Sequence, residues 1–186
     1  MNVKEMPDLR LNRRRWLVRA GFVASGATLA TTRLAAAAAA DDGVSRSAEA
    51  IHQEISFNAS PSRIYQVLTD ASQFQHLQSL SDAMKNLDIN AHPARISREP
   101  GGELSLFGDY IIGRQIELVP GRRIVQAWRV ASWAPGNYSL ARFELLDQGA
   151  GTHLVFDHTG FPAGNAKHLA AGWHSNYWDP LRKILG

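Results

Sequence analysis

His158 lies in a stretch whose alternation places a titratable group on an otherwise apolar strand face. Across residues 152–159, His158 shares that face with Thr152, Leu154 and Phe156. A histidine in such a position is a candidate general base or ligand-binding group, because its ordinary pKa lies near neutrality. The alternative is a core or rim histidine satisfied by the backbone. The sequence leaves both interpretations open.

Metal chemistry finds little support in the sequence. His153 and Asp157 share the face opposite His158 and could pair with each other along the strand. Two ligands are fewer than the three or four that a zinc site uses, so we predict no metal. The chain contains no serine nucleophile elbow and no phosphate-binding glycine loop, and we predict no cofactor.

Three strand arginines, Arg114, Arg129 and Arg142, lie near Glu117 and Glu144 in the sequence. They could recognise an acidic ligand through charge-assisted hydrogen bonds. They could equally form cross-strand ion pairs on the water-facing side of a sheet. We favour ion pairs, because exposed strand faces are routinely built this way.

The candidate residues must be positioned by a strand-rich region and a long final helix. From residue 165 to residue 185, large apolar residues recur at helical spacing on one face. They are Leu169, Trp173, Tyr177, Leu181 and Ile184. A face this bulky must be buried against the strands, and Pro180 predicts a kink or loosened turn within the helix.

Before that helix, the patterns predict one strand over residues 50–58, two small helices and six further strands. Ser60 and Pro61 form a helix start, with serine as N-cap and proline at the first helical position. A second helix is predicted over residues 72–80. Short turns rich in glycine and proline separate the six strands, which we place between residues 94 and 159, so an antiparallel meander is expected.

The N-terminal residues resemble a twin-arginine (Tat) export signal. Arg13 and Arg14 precede Trp16 and Leu17, and a mildly apolar stretch follows. Ala38 and Ala40 fit the small-x-small pattern of a cleavage site. We therefore predict a signal peptide over residues 1–40, a flexible lead-in over 41–49 and one domain over 50–186. The expected partner during export is the Tat translocase, and the expected location is periplasmic or secreted.

The alternative to a cleaved signal is an N-terminal membrane anchor or flexible tail. The apolar stretch is short and interrupted by Arg33, so we predict no stable membrane anchor in the mature form. Of the 20 basic and 17 acidic residues, seven and two lie in the first forty, which leaves 13 basic against 15 acidic. We predict no nucleic-acid partner, because the basic excess belongs to the leader. Cysteine is absent, which excludes disulfides and a cysteine nucleophile.

Several sequence motifs resemble those of the AHSA branch of the START-like (SRPBCC) superfamily. This branch is named after activators of a heat-shock-protein ATPase. In chain order, the motifs are GGELSLFG at 101–108, YIIGR at 110–114, ELVP at 117–120, IVQAWR at 124–129, HTGFP at 158–162 and GWH at 172–174. The resemblance covers residues 50–186. It implies an α+β helix-grip (Bet v-like) fold, in which a curved antiparallel sheet of about seven strands wraps around the long C-terminal helix.

The same resemblance implies an apolar cavity between the sheet and that helix, which would bind a hydrophobic or aromatic small molecule. The expected ligand-binding residues are Trp128, Phe143, Phe156, His158, Trp173 and Tyr177. The alternative is that these aromatic residues only fill the core. The divergent segment 76–93 is expected to help form the cavity mouth.

Two other functions accompany the resemblance. One is an enzyme of polyketide cyclase or hydratase type, with His158 and Tyr177 as candidate acid–base residues. The other is a protein-interaction module like the eukaryotic co-chaperones, which the export signal disfavours because their chaperone is cytosolic. The sequence does not establish whether the chain is an enzyme.

Overall fold

The structure, a computed structural model, describes residues 48–82 and 85–186. The predicted signal peptide and nearly all of the predicted lead-in lie outside the described residues, so both stay predictions. Within the described part, no helix is long and apolar enough to cross a membrane.

Seven strands and a few helices make up the described chain. The strands are β1 (Ala48–Phe57), β2 (Arg95–Ile96), β3 (Glu103–Leu106), β4 (Ile111–Val119), β5 (Arg123–Val130), β6 (Ser139–Gln148) and β7 (Gly151–Pro162). The helices are α1 (Pro61–Thr69), α2 (Ala71–Ser79), α3 (Ala166–Trp173) and α4 (Asp179–Leu185), with a π-helical segment (His174–Trp178) between the last two. The predicted order of one strand, two small helices, six strands and a final helix is confirmed.

All seven strands form one antiparallel sheet in the order β1-β7-β6-β5-β4-β3-β2. Strands β2 to β7 follow one another as a meander because their connections are short. Strand β1 pairs with β7 at the far end, with Ile55 opposite Leu154. The sheet is therefore continuous from the first strand of the domain to the edge strand β2.

A bulge and a close strand contact shape the middle of the sheet. The pairing of β4 with β5 shifts register between Gln115 and Glu117, and bulges of this kind bend a strand and increase its twist. Gly113 lies where the two backbones approach closely, since a Cβ at this position would be 2.0 Å from the carbonyl oxygen of Ala127. The resulting curvature lets the sheet wrap around the C-terminal helix.

The two small helices begin as their sequences predict. Ser60 caps α1, with its hydroxyl accepting a hydrogen bond from the Arg63 N–H, and Pro61 occupies the first turn. Asp70 ends α1 and caps α2 by accepting hydrogen bonds from the backbone N–H groups of Ser72 and Gln73. Each helix buries one apolar stripe in the core.

The C-terminal helix is interrupted by the π-helical segment immediately before Pro180. Proline has no N–H to donate to the carbonyl of Asn176 one turn earlier, and the backbone widens there instead. The Asp179 N–H reaches the His174 carbonyl, five residues back. The widened turn buries Asn176, Tyr177 and Trp178 in succession, which a regular helix with one inner stripe would not do.

Candidate ligand cavity

A cavity of about 550 Å³ lies between the sheet and the first part of the C-terminal helix. Its sheet side is formed by the turn after β3 and by β4 and β5, and its helix side by α3 and the π-helical segment. Residues Asn86 and Leu87, from the segment between α2 and β2, complete the wall. The structure therefore has a cavity at the predicted position, where a solid core was the alternative.

Aromatic rings form much of the inner wall. Trp173 packs against Tyr177 with 4.2 Å between ring centroids and against Trp128 with 5.5 Å. Phe107 meets Tyr177 edge-on at 5.5 Å. Such contacts hold the rings in defined orientations, so the wall is rigid and apolar.

Two polar atoms on this wall have no hydrogen-bond partner. The indole Nε1 of Trp128 and the hydroxyl of Tyr177 are both buried, and neither makes a hydrogen bond of normal geometry. Burial raises the pKa of Tyr177 well above its ordinary value, while the Trp128 indole N–H, which is directed at the phenol oxygen, lowers it. Tyr177 is therefore a protonated phenol at neutral pH, and Trp128 can only donate.

The other two buried indoles of this region are satisfied. The Nε1 of Trp178 donates to the side-chain oxygen of Gln53 at 2.7 Å, and that of Trp173 donates to His158 at 3.0 Å. Because an unpaired buried donor costs about 1–3 kcal/mol, proteins rarely leave one without cause. The unpaired pair on the cavity wall is thus the exception in its own neighbourhood.

Asn176 adds a third donor. Its side-chain oxygen accepts a hydrogen bond from the buried Ser81 hydroxyl, which fixes the orientation of the carboxamide. Among the described residues, its nitrogen has no hydrogen-bond partner, and Asn176 lines the cavity. The nitrogen lies on the side of Gly172, 3.7 Å from where a Cβ of that residue would be.

Two glutamines of α2 hold the chain segments that carry the lining residues Leu87 and Phe107. Gln78 accepts a hydrogen bond from the Phe107 N–H at 2.8 Å, and Gln75 holds both Ile89 and Ala94 of the neighbouring segment. Phe107 and Asp109 both have positive φ angles, 52° and 63°, on either side of Gly108. This left-handed turn is what directs the Phe107 ring into the wall.

His158 forms a separate, fully satisfied polar centre. The Ser139 hydroxyl donates to the Trp128 carbonyl at 2.8 Å, so its oxygen accepts from Nε2–H of His158 at 2.7 Å. The other ring nitrogen, Nδ1, accepts from Trp173. Burial lowers the pKa of His158 to about 3, and the ring is neutral at physiological pH.

The residues predicted to bind a ligand divide into two groups. Trp128, Trp173 and Tyr177 line the cavity, whereas Phe143, Phe156 and His158 are not among its lining residues. Phe143 and Phe156 pack against Trp173 from the sheet side, with centroids 5.8 and 4.3 Å from its ring. His158 and Tyr177, the two candidate acid–base residues, do not share the cavity.

The predicted arginine pairs form only in part. Glu144 on β6 pairs with Arg142 at 2.6 Å and with Arg123 across the β5–β6 ladder. Arg123, which the sequence did not single out, also pairs with Glu117. Arg114 and Arg129 instead donate to backbone carbonyls, because turns lie within their reach.

Metal ligands are not assembled in the described residues, where no group of three histidine, cysteine, aspartate or glutamate side chains is placed to hold an ion. On the outer face of β1 and β7, His52 bonds Asp157 at 2.7 Å and Glu54 at 3.1 Å. These carboxylates raise the pKa of His52. His153 pairs with Glu54 and not with Asp157, its predicted partner.

Sequence reasoning missed several cavity residues. Phe107 belongs to the GGELSLFG motif, but the motif does not predict the orientation of its ring, which depends on a positive φ angle. Gly172 on α3 and Asn176 in the π-helical segment both line the cavity, and no periodicity reveals the π-helical segment. Leu87 and Asn86 belong to the segment that was expected at the cavity mouth, and they line the cavity.

Comparison with known proteins places this geometry in a family. A human protein, "Activator of 90 kDa heat shock protein ATPase homolog 1", is 26% identical over 130 residues, which cover 70% of this chain and 35% of the human protein. This chain thus spans about a third of that relative. The curated relatives from mouse and Dictyostelium discoideum are matched over 28% and 22% of their lengths.

Solved structures share the fold. An HSP90 activator from Plasmodium falciparum superposes with a TM-score of 0.65 at 23% identity, covering 74% of this chain and 96% of that one. CalU16 from Micromonospora echinospora gives a TM-score of 0.59 at 18% identity, covering 75% and 77%. At these identities the likeness establishes the helix-grip fold alone.

The family profile described as "Activator of Hsp90 ATPase homolog 1-like protein" matches residues 58–186, from the end of β1 to the last residue of the chain. The match includes the cavity walls, the π-helical segment and the satisfied centre around His158. It also covers well over half of the chain, and the chain therefore belongs to the AHSA1 family, within the START-like (SRPBCC) fold.

Proposed function

We propose that this protein is an exported binding domain that holds a hydrophobic or aromatic small molecule in the cavity between the sheet and the C-terminal helix. The observation that carries the proposal is a preformed cavity of about 550 Å³ with aromatic walls. Cavities of this size and composition suit small organic ligands. A protein that only needed a stable core would gain by filling this volume, because voids destabilise a core.

Binding is favoured over acid–base catalysis by the placement of the titratable groups. His158 has both ring nitrogens occupied and lies outside the cavity lining. Tyr177 lines the cavity, but its raised pKa keeps the phenol protonated at neutral pH, so it is not available as a general base and is a weak general acid. A ligand would thus be held and oriented without an obvious proton-transfer partner.

Native mass spectrometry of protein purified from the periplasm tests the binding. We expect an added mass that disappears on denaturation. A Gly172→Leu variant should lose this added mass. Residue 172 lines the cavity and has room for a Cβ, and the rest of a leucine side chain would fill the volume that the ligand needs. The matched control, Lys167→Leu, adds the same side chain at an exposed position of α3 and should keep the added mass.

Two results would contradict this proposal. One is protein that carries no ligand in the native spectrum and takes up none when offered hydrophobic compounds. The other is an added mass that survives Gly172→Leu unchanged, because such a ligand would be bound elsewhere.

Export is part of the proposal and rests on Arg13, Arg14, Ala38 and Ala40. Cell fractionation should find the protein in the periplasm with a chain beginning near Asp41. Replacing Arg13 and Arg14 by lysine should retain it in the cytoplasm, while the control Arg10→Lys, outside the motif, should not. Periplasmic recovery of the double variant would refute Tat-dependent export.

A co-chaperone-like function is the second candidate, and it is supported by the similarity to the human and Plasmodium falciparum proteins, which are named as activators of a heat-shock protein. The chain spans only about a third of the human relative, so any shared activity would have to reside in this domain. Stimulation of a purified 90 kDa heat-shock-protein ATPase by this protein would support that function. Cytoplasmic localisation would be required with it.

A further inference from the structure

The cavity has a polar recognition element whose chemistry narrows the ligand class, and this inference rests on the proposed binding function. Among the described residues that line the cavity, none is lysine, arginine, aspartate or glutamate, and the one histidine among them, His168, is exposed on α3. A charged ligand would leave water without gaining an opposite charge, which is strongly unfavourable. The lining therefore favours a neutral molecule.

The polar groups at the inner wall are donors. Trp128 offers only an N–H, and Tyr177 offers an O–H whose oxygen lies beside that indole. The Asn176 carboxamide presents its nitrogen, because its oxygen already accepts from Ser81. A ligand that matched this wall would carry hydrogen-bond acceptors.

The donors are held in place by their own surroundings. Tyr177 is packed edge-on between Phe74 and Phe107, with centroid distances of 5.6 and 5.5 Å. Trp128 lies against Trp133 at 5.8 Å and Trp173 at 5.5 Å. These neighbours keep both side chains beside the cavity in defined orientations.

We infer that the ligand is a neutral, largely apolar molecule with a carbonyl or comparable acceptor oxygen, which receives hydrogen bonds from the Tyr177 hydroxyl and the Trp128 indole. Both donor atoms are shielded from solvent, so the contact requires a rotation of the side chain towards the cavity. Asn176 supplies a further donor for a second acceptor. The apolar body of the ligand lies along the partly exposed lining residues Leu87, Tyr110 and Trp133.

Three compounds of matched shape test this inference: 2-acetylnaphthalene, 2-ethylnaphthalene and 2-naphthoate. They present the same ring system with a ketone, a hydrocarbon group and a carboxylate. Binding to the purified mature protein is measured by quenching of tryptophan fluorescence and by calorimetry. We expect the ketone to bind about tenfold more tightly than the hydrocarbon, and the carboxylate to bind most weakly.

Variants assign the preference to the donors. Tyr177→Phe should weaken ketone binding about tenfold and leave hydrocarbon binding unchanged, since only the hydroxyl is removed. Trp128→Phe should act in the same direction. Tyr65→Phe is the matched control, because that half-buried tyrosine lies on α1 and does not line the cavity, and both affinities should stay as in the wild type.

The outcomes separate the inference from the proposed function. Equal binding of ketone and hydrocarbon, tightest binding of the carboxylate, or an unchanged ketone affinity in Tyr177→Phe would overturn the inference while leaving a hydrophobic cavity intact. Failure of all three compounds to bind, or binding that Gly172→Leu does not reduce, would overturn the proposed function together with it.

Discussion

Two buried polar centres lie on either side of Trp173, and they differ in how their hydrogen bonds are used. Around His158, every polar atom of the ring has a partner in Ser139 or Trp173. Around Tyr177, the hydroxyl and the Trp128 indole have none. Yet the rings of His158 and Tyr177 are both in contact with Trp173, at 5.5 and 4.2 Å. The satisfied centre acts as a structural element, and the unsatisfied one faces the cavity.

The difference teaches that burial and residue type alone do not reveal function. A buried histidine is an obvious candidate for a general base, but both ring nitrogens of His158 are already hydrogen-bonded and neither is free to take a proton from a ligand. A buried tyrosine attracts less attention, although it is the group with unused hydrogen-bonding capacity. Buried polar atoms should therefore be judged by whether they are satisfied.

Removing the Trp173 ring, which contacts both centres, should have the largest effect on the free energy of unfolding. Trp173→Ala should lower the free energy of unfolding by about 3–5 kcal/mol, because it leaves a large cavity among Phe143, Phe156 and Tyr177. Urea unfolding measures this change. Trp133→Ala is the control at a half-buried position and should cost about 1 kcal/mol. Equal losses in the two variants would argue against Trp173 as the centre of packing.

Breaking the satisfied centre should be strongly destabilising. His158→Phe leaves the Trp173 indole N–H without an acceptor and should lower the free energy of unfolding by about 2–3 kcal/mol. The coupling between the two positions can be measured in a cycle with Trp173→Phe, and we expect about 1 kcal/mol. Additive effects would show that the hydrogen bond contributes nothing specific.

The same centre should make stability depend on pH. The pKa of His158 is about 3 in the folded protein and 6.5 ordinarily, so between these values the unfolded state binds more protons. Stability should fall as pH decreases below about 6.5, by up to about 1.4 kcal/mol per pH unit, and the effect ends near the folded pKa.

Urea unfolding at pH 7 and pH 4.5 measures that slope. In His158→Phe, the contribution of His158 to the pH dependence of the free energy of unfolding should disappear. In His168→Phe, which changes an exposed histidine of α3, that contribution should remain. Carboxylates such as Asp70 and Asp109, whose pKa values are lowered, contribute equally to all the proteins compared. Parallel pH profiles for wild type and His158→Phe would contradict the assignment.

Altering the unsatisfied centre should have the smallest effect on stability, and of opposite sign. Tyr177→Phe removes an unpaired buried hydroxyl and should raise the free energy of unfolding by about 0.5–1 kcal/mol. Thermal unfolding of the ligand-free protein measures it. A clear loss of stability would mean that the hydroxyl already has a partner, and the contrast between the two centres would disappear.

Much of the fold followed from the sequence because local chemistry and tertiary packing agree. Alternation placed the strands, and Ser60 with Pro61 fixed the start of α1. The apolar stripe of the last helix is buried as its spacing indicated, with Trp173 and Leu181 in the core. These features depend on neighbours within a few residues, which is what a sequence pattern records.

The site was less predictable because it depends on contacts between distant residues. Whether His158 is satisfied depends on Ser139 and Trp173, 19 and 15 positions away. Pro180 gave a signal for an irregular turn, but not that the turn would bring Asn176 to the cavity. No pattern distinguishes Trp128, whose indole is unpaired, from Trp178, whose indole is bonded to Gln53.

The most direct measurement is a crystal structure of the mature protein with 2-acetylnaphthalene bound. The account predicts the naphthalene ring inside the cavity, with the ketone oxygen about 3 Å from the Tyr177 hydroxyl or the Trp128 indole nitrogen. A compound bound outside the cavity, or one whose ketone oxygen points away from both donors, would contradict it.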